Sequence, residues 1–113
     1  MLIGAIILFI VAAVFGLINL IALLEERPTH NRVVLLHGLI AAAAIVLVLI
    51  YMFLNGFPTP LITSLILFIL AALGGLTLVS FDMKKKPVPK LLVVLHPVIA
   101  IAGLIVLIIY FLP

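Results

Sequence analysis

Four uninterrupted apolar runs fill almost all of this 113-residue chain: Leu2–Leu24, Val33–Leu54, Leu61–Phe81 and Leu91–Leu112. A helix needs about 20 residues to cross roughly 30 Å of bilayer hydrocarbon, and each run is that long. Backbone polar groups in lipid must be satisfied within the spanning element, which leaves helices or a closed barrel. Barrel strands are shorter and alternate in polarity, and these runs do not alternate. The alternative of a soluble fold fails on composition. Residues are 69% hydrophobic and only 8% charged, too few polar side chains to cover a water-facing surface. The sequence therefore predicts an all-α protein, a four-transmembrane-helix bundle with almost no chain left for a soluble domain. The first run lacks the basic start and small-residue cleavage site of a signal peptide, so it is read as a retained helix. The absence of cysteine excludes disulfides and thiolate metal sites.

The chain also repeats itself. Displaced by 59 residues, it aligns with itself without a gap, and 19 of the 54 overlapping positions are identical. Leu8-Phe9-Ile10 matches Leu67-Phe68-Ile69, Ala12 and Ala13 match Ala71 and Ala72, and Gly16 matches Gly75. The scarce polar and special residues match too: Pro28 with Pro87, His37 with His96, Tyr51 with Tyr110. The unit is a helical hairpin used twice. Residues 1–54 form the first, 55–60 an outer linker, and 61–113 the second. Equivalent points are an even number of crossings apart, so the copies run the same way. The expected symmetry is a pseudo-twofold axis along the membrane normal. Lipid offers no hydrophobic drive between helices, so close fit decides association. On that ground Ala12, Gly16, Ala71 and Gly75 are expected to pack helices one and three together.

Charge sets the orientation. All six Lys and Arg residues lie in the segments 25–32 and 82–90, and the middle connection, 55–60, carries none. The positive-inside rule puts the two basic loops in the cytoplasm and both termini outside. Tyr51, Phe53, Phe57, Tyr110 and Phe111 then form an aromatic belt near the outer face. The Lys84–Lys86 run suits anionic lipid headgroups. No basic face exists elsewhere, which excludes a nucleic-acid partner. The compact design without targeting additions favours a bacterial or archaeal inner membrane.

His37 and His96 are the candidate chemistry. Each lies a few residues inside a helix, at the same depth on the cytoplasmic half. Ionisable groups in membrane helices mark functional sites by default, although a histidine that merely bonds a neighbouring helix is the plainer alternative. Zinc wants four ligands, or three and a water. No carboxylate lies inside the helices, and recruiting His30 from a loop would be needed. Haem needs only two axial ligands, for which histidine is usual. The faces of the two histidines continue through Ala41 and Ala44 on helix two and Ala100 and Gly103 on helix four. Small residues there leave room for a flat cofactor, or else serve ordinary close packing. Arg32 and Lys90 lie near the same end, placed to pair with haem propionates or to mark the membrane boundary. The expectation is a single haem b with iron held by His37 and His96. Each remaining ring N–H is expected to donate to a backbone carbonyl, since no carboxylate is near.

The four-helix plan and the pair His37 and His96 resemble membrane-bound cytochromes b of the cytochrome b561 kind, in which helical bundles clamp haem between histidines. That resemblance implies electron transfer, with a membrane quinone or a redox protein as partner. It covers the architecture and the histidine pair only. Cytochromes b561 hold two haems on opposite sides with two histidine pairs, whereas this chain has one intramembrane pair, so a longer electron path needs a homodimer or a second subunit.

Two other classes compete. A small transporter or channel subunit would use His37 and His96 in a polar path, with Asn19, Thr77 and Ser80 helping to polarise it. That path is poorly made, because the outer halves of helices two and four are aliphatic up to their tyrosines. A non-catalytic assembly subunit is the third. No glycine-rich nucleotide loop and no hydrolytic triad occurs.

Overall fold

A computed structural model describes residues 1–113. The chain forms four helices, α1 (Leu2–Leu24), α2 (Asn31–Asn55), α3 (Thr59–Met83) and α4 (Lys90–Phe111). The apolar runs are their bodies, and α2 and α3 extend two residues earlier and one or two residues later than the runs themselves. Consecutive helices pack as two hairpins, α1 with α2 and α3 with α4, and the hairpins meet less closely through α1–α4 and α2–α3. The bundle is 43 Å long and little more than 20 Å across. Its perimeter is a continuous apolar sheath that includes Ile7, Val14, Leu39, Leu73, Ile101 and Ile109. Such a surface is covered by lipid, not water, and the architecture is that of a multi-pass membrane protein.

The repeat is legible in the loops as well as the helices. α1 and α3 both end in a left-handed residue at equivalent positions, Glu26 (φ 57°) and Lys85 (φ 54°). At each end the next N–H turns back onto the helix, Arg27 to the Ala22 carbonyl and Lys86 to the Phe81 carbonyl. This is the six-to-one bond of a Schellman cap, which ordinarily takes glycine because a Cβ is strained there. Glu26→Gly and Lys85→Gly are therefore expected to stabilise the bundle by about 0.5–1 kcal/mol each. Melting in detergent at or below the wild-type temperature would show that these side chains make up for the strain.

The connections 25–30 and 84–89 lie at one end of the bundle, with all the basic residues; the α2–α3 turn and both termini lie at the other. The two ends are packed differently. The apolar core occupies the uncharged end, where Val48, Met52, Leu61 and Leu107 are almost fully buried. Phe9 and its repeat partner Phe68 stack across the bundle axis with ring centroids 3.8 Å apart and planes 8° from parallel. Toward the basic end the centre loosens, and the histidines stand there.

One packing expectation is overturned. No Cα of α1 comes within 8 Å of α3, nor any of α2 within 8 Å of α4, so these pairs are the diagonals of the bundle. Ala12, Gly16, Ala71 and Gly75 do not join α1 to α3. Their small size is used inside each hairpin, where a bulky imidazole from the neighbouring helix takes the space.

Candidate functional site

His37 is carried by α2 and lies across α1. Its Nδ1 is 2.7 Å from the Ala12 carbonyl oxygen. His96, on α4, has its Nδ1 2.7 Å from the Ala71 carbonyl oxygen. A carbonyl only accepts, so Nδ1 carries the proton in both rings and donates. In the neutral ring that leaves Nε2 with its lone pair free. Both acceptors are main-chain carbonyls, as the sequence led us to expect.

Glycine makes the seat. A Cβ built on Gly16 would stand 2.9 Å from His37 Cε1, and one on Gly75 would stand 2.9 Å from His96 Cε1. Ala12 and Gly16 are one turn apart, so a single face of α1 both receives the ring and accepts its hydrogen bond. α3 does the same with Ala71 and Gly75. The two imidazoles are neighbours across the α2–α4 diagonal, near-perpendicular to each other, with centroids 6.0 Å apart and planes at 82°. Donor, acceptor, seat and stacked phenylalanine all recur at the 59-residue repeat, so the site straddles the pseudo-twofold axis.

Two cavities border the pair, and His37, Gly75 and His96 line both. The larger, about 280 Å³, lies toward the middle of the bundle and has no charged wall. The smaller, about 90 Å³, faces the basic end and adds Asn19, Thr29 and Asp82. Thr29 donates to Asp82 Oδ2 at 2.6 Å, tying one hairpin to the other at that cavity's mouth. Asn19 is 92% buried, the complement of its 8% exposure. Its Oδ1 has no hydrogen-bond partner.

Comparison of the chain with protein-family profiles, curated proteins and solved structures returns no match.

The sequence-derived candidates divide. Ala41 and Ala100 line the larger cavity beside the histidines. Ala44 and Gly103 do not. Ala44 is fully buried, and Gly103 lies under the Phe68 ring, where an added Cβ would be 3.2 Å away. Its carbonyl accepts a hydrogen bond from the buried Ser64 hydroxyl at 2.8 Å. Arg32 and Lys90 line neither cavity. Lys90 instead reaches to 3.9 Å from Glu26 in an exposed pair, which is worth little. Thr77 and Ser80 point away from the centre, and Thr77 bonds back to the Leu73 carbonyl of its own helix. No three His, Cys, Asp or Glu side chains converge, and His30 is exposed at the start of α2. That leaves a histidine-rich zinc site without its ligands. The residues missed from sequence are the Ala12 and Ala71 carbonyls as acceptors and Gly16 and Gly75 as seats. The twinned Ala-x-x-x-Gly spacing was the available signal.

Proposed function

We propose that this protein is a membrane haem b protein in which His37 and His96 hold one iron from opposite faces, near the cytoplasmic side, for electron transfer. The observation that supports it best is the matched pair of Nδ1–carbonyl bonds, which leaves two Nε2 lone pairs on rings 6.0 Å apart. At metal–imidazole bond lengths of about 2 Å, rings on opposite sides of one metal have centroids roughly 6 Å apart. An N–H tied to a backbone carbonyl is also the usual way of fixing a ligating histidine's tautomer and aim. Two imidazoles with free Nε2 atoms at this spacing are the type of donor that haem iron takes. Haem b would supply one-electron exchange there, with His37 and His96 as the residues that would hold it. The protein's own part is to fix the two imidazoles, wall the site with Phe9, Phe68, Ala41 and Ala100, and exclude water from it. The exchange partner is a bilayer quinone or a redox protein.

The packing disfavours a conducted path. Beyond the histidines the axis is closed by the Phe9–Phe68 stack and then by Val48, Met52, Leu61 and Leu107. The direct test is a reduced-minus-oxidised visible spectrum of detergent-purified protein with haem quantified. A low-spin b-type spectrum near one haem per chain supports the reading. A colourless protein that stays colourless after haem addition ends it.

The orientation belongs to the same reading: the basic end is cytoplasmic and the termini lie outside, in an inner membrane. The chain has no cysteine, so single cysteines report cleanly. Pro58→Cys is expected to react with a membrane-impermeant thiol reagent from outside intact cells, and Lys85→Cys only after the inner face is opened. Labelling of both from one side would remove the orientation and the four-crossing plan with it.

A further inference from the structure

The histidine site obeys the repeat, and most of the larger cavity's lining does too; the exceptions, Gly38, Gly75 and Leu76, all lie on α2 and α3. Gly38 and Leu76 line that cavity, whereas their repeat partners Pro97 and Leu17 do not. Ala42 of α2 and its repeat partner Ile101 of α4 both line it, but α4 puts the bulkier side chain there. The cavity is thus displaced from the pseudo-twofold axis toward the seam between α2 and α3. That seam is also the looser one, since α1 and α4 pack more closely than α2 and α3. Gly38 and Ala42 are both exposed to the surrounding lipid, and a Cβ on Gly38 would meet nothing within 4 Å.

We propose that the α2–α3 seam is the lateral way in, through which haem b passes from the bilayer to the imidazole pair. This rests on the haem reading above. The chemistry of each approach selects the seam. From the outer end the axis is blocked by the buried core. From the basic end the smaller cavity is tied across by the Thr29–Asp82 bond, and the Asp82 carboxylate repels the carboxylates of an incoming haem. From the side, the wall is glycine, alanine and leucine, and the first polar atoms reached are those of the imidazoles. A flat apolar ring dissolved in lipid crosses such a wall without losing any hydration.

The repeat itself supplies the variants. Ala42→Ile places in the seam the residue that α4 carries at the equivalent position, a side chain the fold already tolerates. Ile101→Ala opens the opposite seam. Full-length protein made without haem is placed in lipid nanodiscs, haemin is added through the lipid, and the rise of the bound-haem absorption is timed. Ala42→Ile is expected to slow loading roughly tenfold while leaving the final spectrum and haem content at wild-type values. Adding Ile101→Ala to it is expected to restore the rate through the second seam. Loading of Ala42→Ile at the wild-type rate would overturn the proposal. So would an altered final spectrum, which would make Ala42 a wall of the occupied site and not part of the route. Wild-type protein that takes up no haem at all would instead overturn the haem reading, and this inference with it.

Discussion

If His37 and His96 hold a haem as proposed, replacing either with alanine is expected to leave that haem weakly held and its visible spectrum altered. Replacing both is expected to remove it. The two single variants are expected to behave alike, because each histidine has the same hydrogen-bond partner and the same seat: a carbonyl at 2.7 Å from Nδ1 and a glycine under Cε1. Loss of a partner that merely orients a ligand costs roughly 10–100-fold in metal affinity, and loss of the ligand itself is expected to cost more. Alanine also leaves a void beside cavities that are already present, so some loss of melting temperature accompanies the spectral change. Haem content per chain and the reduced-minus-oxidised spectrum separate the two effects. Full haem content with an unchanged spectrum in either single variant would falsify ligation by that histidine. Loss in one variant only would mean that the repeat's symmetry does not extend to ligation.

The helices, their pairing into two hairpins and the equivalent placing of His37 and His96 were all legible in the sequence. Lipid simplifies the problem: length and apolarity alone define a span, and a register of 59 residues cannot be hidden by insertions in loops this short. The ring N–H acceptors could also be foreseen as backbone carbonyls, by elimination of carboxylates. What the sequence did not give was which helices stand on the diagonals. A pattern such as Ala12 with Gly16 says that something comes close, not whether it is a neighbouring backbone or a side chain. Here it is the imidazole of His37. The same ambiguity separated Ala41, which lines the cavity, from Ala44, three residues further on the same face and buried in packing. Arg32 and Lys90 illustrate a second limit. Both end up at the basic end of the bundle, but a long exposed side chain at a helix start takes its direction from solvent and nearby charge, which helical spacing does not encode. Asn19 illustrates a third. Its repeat partner is Leu78, equally buried at 8% exposure, so its unpaired oxygen marks a break in symmetry beside the site that alignment alone could report but not interpret.

Glycine-to-alanine substitutions are expected to change sign along the chain according to what each new methyl group meets. In a helix interior, alanine is favoured over glycine by up to about 1 kcal/mol. At Gly4 the added Cβ would find only Leu47 Cδ1, at 3.8 Å, and at Gly38 it would find nothing within 4 Å. Gly4→Ala and Gly38→Ala are therefore expected to hold or raise the melting temperature in detergent. At Gly16 and Gly75 the Cβ would come within 2.9 Å of Cε1 of His37 and His96, inside any real carbon–carbon contact. The neighbour is a rigid ring pinned by a 2.7 Å hydrogen bond, not the free end of a flexible chain, so it cannot give way cheaply. Either the ring shifts and the bond to Ala12 or Ala71 breaks, at about 0.5–1.5 kcal/mol, or the hairpin opens, at about 1–3 kcal/mol of overpacking. Both outcomes outweigh the helix-propensity gain. Gly16→Ala and Gly75→Ala are thus expected to destabilise the bundle, and the larger Gly16→Ile and Gly75→Ile to do so more strongly than the conservative Ile18→Leu on the lipid face. In the haem-loaded protein the alanine variants are also expected to lose affinity roughly 10–100-fold, because the imidazole loses its orienting bond. Melting temperatures that place Gly16→Ala and Gly75→Ala level with Gly4→Ala would show that these glycines do not seat the histidines.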